Sequence, residues 1–198
     1  LEYYSLSTLQ ILMNRHDLEI YDASENHVNG GSIRVMITHS DAGKQKTKRM
    51  IELLEIEKSM HLDKKQTYHD FHDKIIDMKN KVTDYMLNEI KKENKVFGLG
   101  ASTKGNMLLQ LFGITKEIMP FISERNPKKV GLKTLGTDIE LISEKQARSL
   151  KPSCMLVLPW YFKDEIVERE KQFIEEGGVL LIPMPYPHIV SKEGEINL

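Results

Sequence analysis

The chain of 198 residues is close to electrically neutral, with 28 lysines and arginines against 29 aspartates and glutamates. A chain without a strong positive field is not drawn to nucleic acid or to an anionic membrane surface, so neither partner is expected. The single cysteine, Cys154, excludes an intrachain disulfide framework and a multi-cysteine zinc site. We therefore expect a globular protein of a reducing compartment, the cytoplasm.

Residues 1–45 predict a small unit of one helix and two strands. Ser5 or Ser7 is placed to cap a helix that ends near His16. Residues 18–21 and 32–39 read as strands on either side of a turn, and they are expected to pair antiparallel. Because the sequence opens on Leu1, we expect a piece of a longer protein.

Residues 46–94 contain neither proline nor glycine and predict a long helical connector. The helical pattern is expected to break at residues 61–63. Its second part carries an apolar stripe at three- and four-residue steps, which includes Ile75, Met78, Val82 and Met86. His69 and His72 share one side of it, beside aspartates, and this pattern favours a solvated face over a metal site.

Residues 95–109 carry the strongest functional signal. A short apolar run from residue 96 to 99 meets three glycines, and an apolar-periodic segment resumes at Met107. This order predicts a strand, a tight turn and a helix start, and the exposed amides of such a turn favour an anion such as phosphate. The spacing matches neither a Walker loop nor a strict dinucleotide fingerprint. The alternative is a turn that needs glycine for its geometry alone.

The remaining pattern predicts a doubly wound α/β domain over residues 95–198. Strands are expected at 117–122, 139–142, 154–158 and 179–182, with helices over 143–150 and 163–176 between them. The apolar run 154–158 is typical of a strand buried on both faces of a parallel sheet. The predicted fold is thus α/β, a Rossmann-like doubly wound parallel sheet preceded by a small strand pair and a long helix.

Two further residues lie where such a domain holds a nucleotide. Glu124 follows the second predicted strand, the place at which a dinucleotide fold binds ribose, although an exposed strand-end carboxylate explains it as well. Trp160 follows the buried strand, where it either stacks on a base or sugar or covers the core.

Several of these segments together resemble one family. Residues 96–106, 124–129, 158–160, 177–178 and 182–185, with 4–6 and 30–34 upstream, resemble the C-terminal domain of S-adenosylmethionine-dependent sugar C-methyltransferases. The resemblance implies an enzyme with a zinc-binding N-terminal domain, a middle methyl-donor domain and this Rossmann-like domain. It also implies methylation of a carbon of a nucleotide-linked keto sugar. Leu135 stands where the family often has proline.

The resemblance also implies what this chain does not supply. The zinc and methyl-donor domains are expected as partners outside the chain, and the family's acid/base segment would precede Leu1. We therefore expect no catalytic residue, no metal ligand and no bound S-adenosylmethionine here, and little activity from the chain alone. The nucleotide sugar is expected to contact Gly98, Gly100, Ala101, Ser102, Thr103, Lys104, Gly105, Asn106, Glu124 and Trp160. The alternative is a ligand-free docking module.

Overall fold

The computed structural model describes residues 3–28 and 31–198, which form two compact units. The first unit extends to His72 and the second begins at Asp73. The boundary therefore falls inside a helix, whereas the sequence places the domain limits at residues 45 and 94. Asn29 and Gly30, in the predicted turn, lie outside the described residues.

The first unit is a helix-covered strand pair. It contains α1 (Leu6–Asn14), β1 (Leu18–Asn26), β2 (Ser32–His39), α2 (Lys48–Ser59) and the start of α3 (Lys65–Lys91). The Ser5 hydroxyl caps α1 by accepting a hydrogen bond from the Thr8 amide. β1 and β2 pair antiparallel, so the predicted strand pair is confirmed, as is the long helix.

The second unit is built on one seven-stranded sheet. Its strands are β3 (Val96–Leu99), β4 (Phe121–Glu124), β5 (Glu140–Ser143), β6 (Cys154–Val157), β7 (Val179–Ile182), β8 (His188–Ser191) and β9 (Gly194–Asn197). The helices between them are α4 (Thr103–Phe112), α5 (Glu144–Ser149), α6 (Lys163–Arg169) and α7 (Lys171–Glu175). The strand order is β5-β4-β3-β6-β7-β8-β9, parallel up to β7 and antiparallel beyond it.

This order confirms the predicted α/β fold with a mostly parallel sheet. From β3 the chain proceeds outward through β4 and β5, and then returns to place β6 on the other side of β3. The direction of winding thus reverses between β3 and β6. Crevices that bind ligands in open α/β sheets lie at such a switch point, outside the carboxyl ends of the strands.

The sheet is covered on both faces, which explains the apolar runs in the sequence. Alternate residues of β6 belong to different cores: Leu156 packs with Val82 and Met86 of α3, while Met155 packs with Ile166 of α6. Successive side chains of a strand point to opposite faces, so a strand with a core on each side has no polar side.

Three local features differ from the sequence prediction. The predicted strand at 117–122 starts only at Phe121, because the amide of Met119 donates back to the Thr115 carbonyl in a helical turn. The predicted helix 163–176 is two helices that meet at Glu170. The hairpin β8–β9 was not predicted. Among the described residues, no helix combines the length and apolar character that crossing a bilayer requires.

Candidate functional site

A cavity of about 380 Å³ lies in the second unit at the carboxyl ends of the parallel strands. Strand ends, the loops after them and α6 form its wall. The lining residues are Gly100, Ala101, Ser123, Glu124, Arg125, Glu144, Pro159, Phe162, Glu165, Ile166 and Arg169. The cavity is therefore placed where open α/β sheets bind ligands.

The turn after β3 forms one side of this cavity. Gly100 has φ +76°, which an L side chain adopts only with strain, and a Cβ atom there would lie 3.0 Å from Cγ of Pro159. Its amide donates to the Ser123 carbonyl at 2.8 Å. Glycine at this position allows the sharp bend of the turn. It also allows the loop that follows β6 to lie close to the Gly100 backbone.

Glu124 occupies the inner side of the same turn. Its side chain is buried, and its two oxygens accept hydrogen bonds from the amides of Ala101 at 2.9 Å and Asn126 at 2.7 Å. The sequence predicts Glu124 beside the glycine turn, and the structure places its carboxylate in contact with that turn. The Ala101 amide is thereby bound to the protein's own carboxylate, so a phosphate at that amide would meet a negative charge.

Three other predicted contact residues cap α4 or allow β3 and α4 to pack closely against their neighbours. The Ser102 hydroxyl accepts from the Gly105 amide at 2.9 Å and donates to the Leu158 carbonyl at 3.3 Å. A Cβ atom on Gly105 would lie 2.6 Å from Cβ of Leu158. Gly98 sits inside β3, where a Cβ atom would lie 2.7 Å from Cγ1 of Ile122. These residues contact the protein on the side of the turn that does not line the cavity.

The last predicted residues lie around the turn without lining this cavity. Thr103 and Lys104 are exposed on the first turn of α4, and the Lys104 ammonium lies 4.8 Å from the ring centroid of Tyr161. The Asn106 side-chain oxygen is buried with no hydrogen-bond partner among the described residues. Trp160 packs against the cores on both faces of the sheet, which favours its role in packing.

Sequence reasoning missed Ser123, which lies at the carboxyl end of β4. Its side chain is 1% exposed, and its hydroxyl has no hydrogen-bond partner among residues 3–28 and 31–198. One serine in an apolar strand belongs to no motif. Only the pairing of β4 with β3 brings it to the glycine turn.

The charges around the cavity are mixed. Three carboxylates, Glu124, Glu144 and Glu165, face two guanidinium groups, Arg125 and Arg169. Arg169 is engaged by the protein itself, since its Nε donates to buried Glu170 at 3.0 Å and its Nη2 lies 3.8 Å from Glu144. The lining therefore does not form a concentrated positive field for a highly charged anion.

Neither a reactive thiol nor a metal cluster occurs among the described residues. The thiol of Cys154 is fully buried in β6, and burial raises its pKa far above the usual range, so it is no nucleophile. In the described part of the chain, no group of three or more histidine, cysteine or acidic side chains is placed to hold a metal ion. The cavity lining itself combines charged and hydrogen-bonding groups with an apolar wall.

Two comparisons relate the chain to known proteins. The family described as the C-methyltransferase C-terminal domain matches residues 27–185. The chain is also 30% identical over 194 residues to the C-methyltransferase NovU of Streptomyces niveus. That match covers 98% of this chain and 46% of NovU, so the chain spans about half the length of this relative.

Proposed function

Because the chain belongs to the family of C-methyltransferase C-terminal domains, we propose that it is the substrate-side domain of such an enzyme. The whole enzyme would use S-adenosylmethionine to methylate a carbon of a nucleotide-linked keto sugar. Its methyl-donor domain and a zinc-binding domain would lie in the part of the enzyme that this chain does not span. The chain alone would then bind the nucleotide sugar and show little activity.

The observation that supports this proposal most directly is the cavity beside Gly100 and Glu124. It lies at the switch point of the sheet, and it combines buried polar groups with an apolar wall. Small-molecule sites have this composition, and α/β sheets bind nucleotides at this edge.

Methylation at a carbon next to a ketone requires several groups, which the domains of the complete enzyme would share. A base removes the α-proton, a hydrogen-bond donor stabilises the enolate oxygen, and the acceptor carbon is held in line with the methyl group. S-Adenosylmethionine, when bound to the complete enzyme, supplies the electrophilic methyl group. The role left to this chain is to fix the nucleotide end of the substrate, so that binding energy there positions the distant sugar carbon.

Calorimetry tests the proposal. The chain is titrated with a panel of nucleoside-diphosphate hexoses and, separately, with S-adenosylmethionine. We expect saturable binding of at least one nucleotide sugar and none of the methyl donor. The donor also carries a ribose that a strand-end carboxylate can bind, so the second titration is a necessary comparison. Binding of the donor but of no nucleotide sugar contradicts the proposal.

One observation favours a second candidate, a docking module without a small-molecule ligand. Glu124 already satisfies the Ala101 amide from inside the protein, as a turn used only for packing would require. A pull-down with the methyl-donor domain of the same enzyme separates the candidates. Tight binding of that domain, together with no detectable binding of any nucleotide sugar in the panel, supports docking alone.

A further inference from the structure

We propose that the outer side of α4 is a docking surface for the methyl-donor domain of the same enzyme. Met107 and Leu111 on the helix, with Leu135 in the loop beside it, form this α4 surface. It belongs to the second unit, and its residues do not line the cavity beside the glycine turn. This inference rests on the proposed function, because it names the face of the chain that receives the methyl-donor domain.

The first argument is the composition of α4. A surface helix normally turns an apolar face to the core and charged or polar residues to water. The inner face of α4 is apolar as expected, since Leu108, Leu109 and Phe112 are buried. The outer face is not charged, because the sequence contains no charged side chain from residue 105 to residue 112. A helix that is apolar around most of its circumference is typical of one with protein on both sides.

The second argument is that the exposed apolar side chains are adjacent. Met107 is 62% exposed, Leu111 is 54% exposed and Leu135 is 77% exposed. Residues four apart lie on one side of a helix, so Met107 and Leu111 are neighbours. Gln110 lies on the same side, and its Nε2 donates to the Leu135 carbonyl at 2.9 Å, which joins the loop to the helix. Contiguous exposed apolar side chains mark interaction sites, whereas single ones do not.

The third argument identifies the occupant. α4 begins at the glycine turn, and at about 1.5 Å per residue Met107 lies only about 6 Å along the helix from its first residue. Methyl transfer requires the donor to approach a sugar that is held at this edge of the sheet, so the methyl-donor domain has to lie against the same edge. The match covers 46% of NovU, so more than half of that relative is available for such a domain.

The charges near the α4 surface favour an apolar partner over a charged one. Asp138, in the loop that carries Leu135, pairs with Lys116 and, at 3.0 Å, with Lys133. These ion pairs lie within the chain and largely offset one another. Docking is therefore expected to depend on the burial of apolar side chains and to persist at high salt.

The first experiment compares hydroxyl-radical labelling of the chain alone with labelling of the complete enzyme, residue by residue, by mass spectrometry. Oxidation of a side chain follows its exposure, so we expect about fivefold less labelling of Met107 and Leu111 in the complete enzyme. Ile196 is 50% exposed on β9, at the far edge of the sheet, and is the matched control that should be labelled equally in both. Unchanged labelling of Met107 and Leu111 overturns the proposal.

The second experiment measures binding of the chain to the separately produced methyl-donor domain by calorimetry. Leu111→Lys places a charge within the α4 surface and should weaken binding about thirtyfold, at low and at high salt. Ile196→Lys is the control and should bind like the native chain. Undiminished binding of Leu111→Lys contradicts the proposal. Sedimentation of the chain alone tests the other occupant, because a dimer that Leu111→Lys dissociates would assign the α4 surface to a second copy and overturn the proposal.

Titration with nucleotide sugars separates this inference from the proposed function. Leu111→Lys should bind them with native affinity, because Leu111 does not line the cavity. If a nucleotide sugar binds but the α4 surface is not protected in the complete enzyme, the docking surface is wrong and the proposed function stands. If the surface is protected but no nucleotide sugar binds the native chain, the docking surface is supported and the proposed function is wrong. Radical labelling needs neither a variant nor an isolated domain, so a folding defect leaves that test intact.

Discussion

The two sides of the turn after β3 use the same residue type for different purposes. Behind the turn, Gly98 and Gly105 leave room for Ile122 and Leu158, and neither glycine lines the cavity. In front, Gly100 and Ala101 line a cavity and contact Ser123 and Glu124. A glycine-rich segment is therefore not one binding surface. Part of it fixes the distance between helix and sheet, and only the remainder lines the cavity.

The largest expected effect is on the packing side, at Gly105. A helical glycine replaced by alanine ordinarily gains about 1 kcal/mol of helix propensity. Here the new Cβ atom would lie 2.6 Å from Cβ of Leu158, so we expect Gly105→Ala to lower the free energy of unfolding by about 2–3 kcal/mol in urea denaturation. Thr103→Ala, on the exposed side of α4, is the control and should change it by less than about 0.5 kcal/mol. A stabilising Gly105→Ala contradicts the close packing.

Gly98 is expected to tolerate substitution somewhat better. A Cβ atom there meets Cγ1 of Ile122 at 2.7 Å, a side-chain atom that can shift, so we expect Gly98→Ala to cost about 1–2 kcal/mol. The double variant Gly98→Ala/Ile122→Ala should lose less free energy of unfolding than the two single variants lose in sum, because the second change removes the atom that clashes. Strictly additive losses in denaturation would show that the two positions do not touch.

Ser102 joins the two sides of the turn, since it caps α4. Ser102→Ala removes the acceptor for the Gly105 amide and should lower the free energy of unfolding by about 1 kcal/mol. Ser102→Asp retains a capping oxygen and should stay within about 0.5 kcal/mol of the native chain. If both variants lose the same amount in chemical denaturation, the contact with the Leu158 carbonyl matters more than the cap.

The smallest effect on stability is expected at exposed Lys104. Reversing its charge in Lys104→Glu removes a contact with the Tyr161 ring, which contributes about 0.5–1 kcal/mol at exposed sites. The affinity for a nucleoside-diphosphate sugar should fall severalfold in calorimetry if the phosphates lie near the first turn of α4. Lys74→Glu, exposed on α3, is the matched control for charge. An affinity equal to that of the control removes Lys104 from the site.

Other parts of the fold follow from local chemistry to different degrees. Ser143 was predicted to start a helix, and its hydroxyl accepts from the Gln146 amide at 3.2 Å. Capping is decided within four residues, so sequence suffices. The β8–β9 hairpin follows a segment rich in proline, and its strands are four residues each. Such short strands show too little alternation to be recognised. The helix break falls at Glu170, a buried residue whose carboxylate accepts a hydrogen bond from Arg169.

The sequence by itself determined the alternation of strands and helices, the positions of the glycines and the family to which the chain belongs. These features are read from residues close together in the chain. Only the tertiary structure decided which glycine lines the cavity, that the Glu124 carboxylate accepts a hydrogen bond from the Ala101 amide, and that Ser123 lies in the cavity wall. Those facts depend on the side-by-side pairing of β3, β4 and β6, whose partners lie far apart in sequence, and no local pattern encodes such pairing.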